Sequence, residues 1–197
     1  MMKRLAMLAA AGFLAACQPE ASAPAAPDVR LYAMDCGRAE FANTDMFADD
    51  GSFANQPRTL VNPCYLIRHP SGDLVWDVGF PDAVADMEQG LTLEAFSARV
   101  VMQSKLVDQL AQLELTPGDI EFVSFSHAHS DHTGNGNLFA GSTWIVDADE
   151  RAFLFSPQAR ADAQSFAGYN QLEGAETVLI EGAASHDVFG DGSVTII

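Results

Sequence analysis

Basic side chains are scarce in this sequence: ten Lys and Arg against 27 Asp and Glu give a formal net charge of −17 at pH 7. A body this acidic repels polyphosphate backbones and anionic lipid, which excludes nucleic-acid binding and adhesion to a charged membrane surface. The acidity is read as solubility outside the cytoplasm and implies no specific partner. Apolar runs long enough to cross a bilayer are lacking as well. No serine stands in a G-x-S-x-G setting, so the strand-to-helix nucleophile elbow of a serine hydrolase is missing. Histidine is rare, five in 197 residues, yet three of the five fall between 127 and 132. Internal repeats are not evident, and a chain of this length suits one domain with a sizeable core.

The one sustained apolar run is at the start. Lys3 and Arg4 precede Leu5 to Ala16, the charged and apolar regions of a secretory signal, too short for a stable span. Residues 1–16 are therefore expected to be removed. Leu14-Ala15-Ala16-Cys17 resembles a bacterial lipobox, which makes Cys17 the lipidated first residue of the mature protein. Ordinary cleavage near Ala16, with Cys17 a spare thiol, is the alternative. Gln18 in place of an aspartate favours the outer membrane, facing the periplasm. Residues 17–28, rich in Ala and Pro, then form a tether, and 29–197 the domain. Loss of the leader takes away two positive charges and no negative ones, so the remainder carries −19 rather than −17. The membrane is reached through the lipid anchor only. Cys36 and Cys64 sit where pairing is permitted, and a disulfide tying the first strand to the second is one reading; two small buried thiols is the other.

Val29 to Met34 reads as a strand, followed by an irregular stretch to Asn62. Cys64 to Arg68 and Asp73 to Val78 flank His69-Pro70-Ser71-Gly72, a hairpin signal, with His69 expected in solvent. From Asp82 the pattern reads as helical, with an apolar stripe through Val100, Leu106, Leu110 and Leu113 that stops at Thr116-Pro117-Gly118. Met87, Phe96 and Met102 are expected as core or helix-packing residues. Ile120 to Phe125 is a buried strand, Thr143 to Val146 another, Ala148 to Phe155 a helix, Thr177 to Ile180 a strand, and Val194 to Ile197 the beginning of one more. This alternation argues for an α/β layered fold.

The strand at 120–125 delivers His127, His129, Asp131 and His132, the pattern H-x-H-x-D-H. On an extended segment residues two apart point the same way, so His127 and His129 converge on one ion. The following turn redirects Asp131 and His132 to a second. Imidazole and carboxylate are the donors that borderline ions such as Zn²⁺ accept without thiolate. Surface loop histidines, a His-Asp pair serving a serine, and an adventitious metal patch are the competing readings.

The H-x-H-x-D-H pattern followed by Thr133-Gly134-Asn135 resembles the metallo-β-lactamase superfamily, and within it the N-acyl homoserine lactonase-like secreted hydrolases. Leu66-Ile67, Trp76-Asp77-Val78-Gly79 and Thr143-Trp144-Ile145-Val146 carry the similarity further. The resemblance implies an αββα sandwich and two Zn²⁺ ions, one on His127 and His129, the other on Asp131 and His132. It places Asp77 close beneath the metals; a carboxylate capping the turn at Gly79 is the alternative.

The resemblance also implies a third histidine, a bridging aspartate and a last histidine downstream. Only His186 remains, and with Asp187 and Asp191 it reads as part of a turn, not as a ligand. The chain thus matches the amino-terminal half of the sandwich and stops within an apolar, β-branched element. Truncation at the carboxyl end is expected, with an open sheet edge and weak metal affinity. For the complete protein the expected function is zinc-dependent hydrolysis of a small molecule. A metal-bridging hydroxide attacks a lactone such as an N-acyl homoserine lactone, and Asp131 helps relay a proton. A B3-type β-lactamase or a thiolesterase of the same fold is the alternative, and a non-catalytic metal-binding lipoprotein is the rival from another class.

Overall fold

The computed structural model describes residues 26–197. The leader, Cys17 and most of the tether lie outside the described residues. Eight strands form one mixed sheet: β1 (Arg30–Phe41), β2 (Arg58–His69), β3 (Gly72–Trp76), β4 (Leu91–Leu93), β5 (Ala98–Val101), β6 (Phe122–Ser124), β7 (Thr143–Asp147) and β8 (Thr177–Ile180). Their order is β4-β5-β1-β2-β3-β6-β7-β8. The half up to β3 is antiparallel, whereas β3, β6, β7 and β8 run parallel. A separate two-stranded ribbon pairs β9 (His186–Asp187) with β10 (Thr195–Ile196). The helices are short: α1 (Leu106–Ala111), α2 (Ser130–Thr133), α3 (Ala148–Leu154), α4 (Pro157–Ala161) and α5 (Ala163–Phe166).

Alternation along the central strands explains the layering. In β7, Trp144 and Val146 enter the cluster that contains Leu106, Leu110, Leu154 and Tyr169, while Ile145 enters a second cluster with Ile180, Val188 and Ile196. Leu66 and Ile67 of β2 divide the same way, as do Val75 and Leu74 of β3. One face of the sheet therefore packs on helices and the other on the β9–β10 ribbon. Each Leu or Val so buried is worth about 1.5–3 kcal/mol relative to exposure. Parallel strands covered on both faces need this near-continuous apolar character.

Several sequence expectations are corrected here. The irregular stretch is shorter than expected, because β1 continues to Phe41 and β2 starts at Arg58. Gly37 makes this possible: at φ +111° it supports a bulge between Asp35 and Arg38, after which pairing with β2 resumes. The region after Asp82 is not one helical stripe. Residues Asp82–Asp86 form a 3-10 turn, β4 and β5 follow, and only α1 is α-helical. Ala98, Val100 and Met102 are buried while Arg99 is exposed, the period of a strand, and Val100 pairs with Ala39 of β1. Met102 is in the core, but Met87 and Phe96 are exposed. His69 is buried, not in solvent: its ring stacks on Phe189 at 4.2 Å and its Nε2 lies 3.0 Å from the Asp191 carboxylate. Asp187 ends β9, and its carboxylate accepts from the N–H groups of Gly190 and Gly192, which closes the turn to β10.

Cys36 and Cys64 are joined in a disulfide that ties the bulge of β1 to β2, with Cα atoms 5.7 Å apart and both side chains buried. The bridge spans 28 residues. Closing a loop of that size in the unfolded chain corresponds to about 3.5 kcal/mol. Reduction, or the double replacement Cys36→Ser with Cys64→Ser, is expected to lower the stability measured by urea unfolding by about that amount.

Candidate functional site

β6 ends at Ser124, and the chain turns through Phe125 to His129 before the single turn of α2. A four-residue helix has almost no ladder of its own and is not stable in isolation. What holds it is the turn after β3. Asp77 donates its N–H to Ser124 O at 2.9 Å and accepts the Ser126 N–H on Oδ1 at 2.7 Å. Val78 donates to His132 O and Gly134 donates to Gly79 O, both at 2.9 Å. The side-chain amide of Asn135 donates to Val78 O and Phe80 O at 2.8 Å each, and its Oδ1 accepts from Asp82 N. Turn and motif are thus laced together along their length. Asp77 adopts φ +59°, a left-handed conformation that is uncommon for a residue with a Cβ.

Gly134 has to be glycine. A Cβ there would lie 2.5 Å from Pro81 Cδ and 2.7 Å from Gly79 O, closer than packed atoms tolerate. Gly134→Ala is expected to push α2 away from the Asp77 turn and destabilise the protein by about 1–3 kcal/mol, read as a lowered Tm.

The structure brings His127, His129, Asp131 and His132 together as two pairs. His127 Nε2 and His129 Nδ1 are 2.9 Å apart and hydrogen-bonded, so these two ring nitrogens are adjacent. Ser126 Oγ lies 3.1 Å from His127 Nδ1 and can accept its proton, the tautomer that leaves Nε2 free. His132 directs Nδ1 at Asp77 Oδ2, 2.9 Å away, and Nε2 at Asp131 Oδ2, 3.4 Å away. Among the described residues no third His, Cys, Asp or Glu joins either pair. His186 is held in β9 opposite Ile196.

Electrostatics follow from this packing. Burial by itself would lower the His132 imidazole, but the carboxylates of Asp131 and Asp77 outweigh it and push it up to about 9. Burial raises the Asp131 carboxyl, yet the His132 hydrogen bond and charge, with a backbone hydrogen bond and the nearby His129, together offset this and hold it below the usual carboxylate range. His127 is lowered by burial and by the neighbouring His132 and His129 rings. The donor set is imidazole and carboxylate, with each metal-facing atom aimed at a partner donor. This is the donor chemistry that borderline divalent cations accept.

A cavity of about 200 Å³ opens beside His127, lined by Trp76, Phe125, Leu154 and Ile180 together with Ser126 and Asp147. One flank of the motif is therefore walled by apolar side chains. Sequence reasoning missed Asn62, a buried residue of β2 whose Nδ2 donates to Asp131 O at 2.6 Å. Nothing in the local sequence marks it, because its partner lies 69 residues away.

Residues 58–192 match the model of the metallo-beta-lactamase superfamily. The N-acyl homoserine lactonase AttM of Agrobacterium fabrum is 29% identical over 175 residues, covering 86% of this chain and 66% of the relative. The N-acyl homoserine lactonase AiiA of Bacillus thuringiensis subsp. kurstaki is 24% identical over 127 residues, covering 61% and 49%. Among solved structures, a Bacillus thuringiensis AiiA variant with N-decanoyl-L-homoserine bound at its active site superposes with a TM-score of 0.61 at 22% identity, covering 80% of this chain and 61% of that one. AidC, a dizinc quorum-quenching lactonase, superposes with a TM-score of 0.51 at 13% identity, covering 78% and 58%. The chain thus spans about two thirds of the length of its curated AttM relative.

Proposed function

Because the chain belongs to the metallo-beta-lactamase superfamily, we propose that it is the motif-bearing part of a zinc-dependent hydrolase that opens a lactone ring, of the N-acyl homoserine lactone class. The observation that carries this reading is the pairing of donors, His127 Nε2 with His129 Nδ1 and Asp131 Oδ2 with His132 Nε2. The similarity to AttM supports the substrate class, and the dizinc relative AidC supports the metal. His127 and His129 would hold one Zn²⁺, Asp131 and His132 the other. Bound, such cations supply Lewis acidity that polarises an ester carbonyl and lowers the pKa of water.

The remaining work is done by the protein. Asp77 fixes the His132 ring with Nδ1–H on its carboxylate, leaving Nε2 for the site. Ser126 does the same for His127 through Nδ1. Asp131, with its carboxyl held ionised, is the group placed to accept the proton released by the attacking water and pass it on to the departing alkoxide. No side-chain nucleophile is needed. We further propose that the domain works outside the cytoplasm, tethered to the outer membrane through lipidated Cys17. The Leu14 to Cys17 pattern supports this, and so does a buried disulfide, which suits an oxidising compartment.

The test is acid release at constant pH from N-hexanoyl homoserine lactone. Ring opening that stops on chelation and returns with zinc supports the proposal. Hydrolysis of a β-lactam or thioester without lactone opening would replace the substrate and keep the metal. No zinc-dependent hydrolysis of any of the three would overturn it.

A further inference from the structure

α2 ends at Thr133, so the Asp131 carbonyl has no donor from a following helical turn. Within the same short helix the His132 carbonyl is met by Val78 N. The Asp131 carbonyl is met instead by a side chain from a distant strand, Asn62 Nδ2 at 2.6 Å. Asn62 is buried and lies two residues before Cys64, whose bridge to Cys36 anchors that part of β2. The contact is therefore built on a rigid base.

We propose that Asn62 is a positioning residue for the second donor pair: by holding the Asp131 carbonyl it sets where the Asp131 carboxylate meets His132 Nε2. The proposal rests on the metal reading above. The reasoning is geometric. The Asp77 turn holds the segment at Ser126, His132 and Gly134, on both sides of Asp131. The N–H end of the Asp131–His132 peptide is held by His129 O at 2.9 Å, and its carbonyl end is held by Asn62. Loss of Asn62 frees that carbonyl end, beside the Asp131 side chain, whereas the His127 and His129 rings keep their own contacts. The second donor pair therefore depends on Asn62 more than the first.

Two variants test this, Asn62→Leu, which keeps the branched shape and removes the donor, and Asn62→Ala. Zinc is titrated into each full chain against a chromophoric chelator, and hydrogen exchange of the 127–135 segment is followed in the metal-free protein. The expected result is that one of the two zinc-binding steps weakens by about 10- to 100-fold while the other is unchanged, with faster exchange confined to 130–135. Asn62→Gln, which restores a donor, is expected to recover part of the loss. Wild-type affinities and exchange in both variants would overturn the proposal. Equal weakening of both steps with protection lost across the sheet would overturn it too, since that is a role in folding. A wild-type chain that takes up no zinc would defeat the metal reading itself, and that failure is visible before any variant is made.

Discussion

His129→Ala is expected to abolish zinc uptake at the first donor pair and lactone opening together, while leaving the fold intact. His129 is exposed at the amino-terminal end of α2 and fills no core position. Truncating an exposed side chain away from packing changes stability by only about 0.5 kcal/mol. Its chemical part is larger. His127 Nε2 and His129 Nδ1 face each other at 2.9 Å, and removing one leaves a single imidazole for the ion. Loss of an outer partner alone weakens metal sites about 10- to 100-fold, so loss of a direct donor is expected to exceed a hundredfold. Hydrolysis falls with it, because Lewis-acid stabilisation worth several kcal/mol corresponds to a hundredfold or more in rate. Equilibrium dialysis against zinc, acid release from the lactone and a thermal melt on the same preparation check the three parts. A variant that keeps full zinc content would remove His129 from the site.

Asp77→Ala is the second large effect, and it strikes both stability and metal. Asp77 is buried and accepts from Ser126 N and His132 Nδ1. Each of these bonds to a carboxylate contributes about 1.5–3 kcal/mol. Alanine at φ +59° adds roughly 1–2 kcal/mol of strain that Asp and Asn bear more easily. A loss of at least about 4 kcal/mol is expected, which for a chain of this size lowers Tm by roughly 8–16 °C or more. Asp77→Asn separates the two roles. Its Oδ1 still accepts from Ser126 and the backbone conformation is tolerated, so most stability is retained. Its amide, however, faces the His132 Nδ1–H and drives that proton to Nε2, the nitrogen turned to Asp131. Zinc affinity at the second pair is expected to fall about 10- to 100-fold with a much smaller change in Tm. Equal behaviour of the Ala and Asn variants in zinc affinity and in Tm would mean that Asp77 acts on the fold alone.

Local patterns in the sequence carry the layered α/β class, the strands expected at 120–125 and 143–146, which form at 122–124 and 143–147, and the clustering of His127, His129, Asp131 and His132. They do so because alternation and close spacing are local properties. What escaped was set by distant contacts. Val100 falls into a helical pattern with Leu106 and Leu110 downstream, although Ala98, Val100 and Met102 alternate with Arg99 and Val101 as a strand does. The Pro-Ser-Gly turn beside His69 points to solvent, yet Phe189 and Asp191, more than a hundred residues on, cover it. Asn62 illustrates the limit most plainly: a polar residue before a proline in a strand carries no mark of the carbonyl it serves across 69 residues. The left-handed backbone at Asp77 is similarly hidden, since only the turn that clamps α2 requires it.

The central claim is that the motif holds two cations on two pairs of side chains. Counting zinc by mass spectrometry after equilibrium dialysis of the purified protein tests it most directly. The account predicts two ions per chain, falling to one when Asp131 and His132 are both replaced by alanine. A chain that retains no zinc, or a double variant that still retains two, would contradict it.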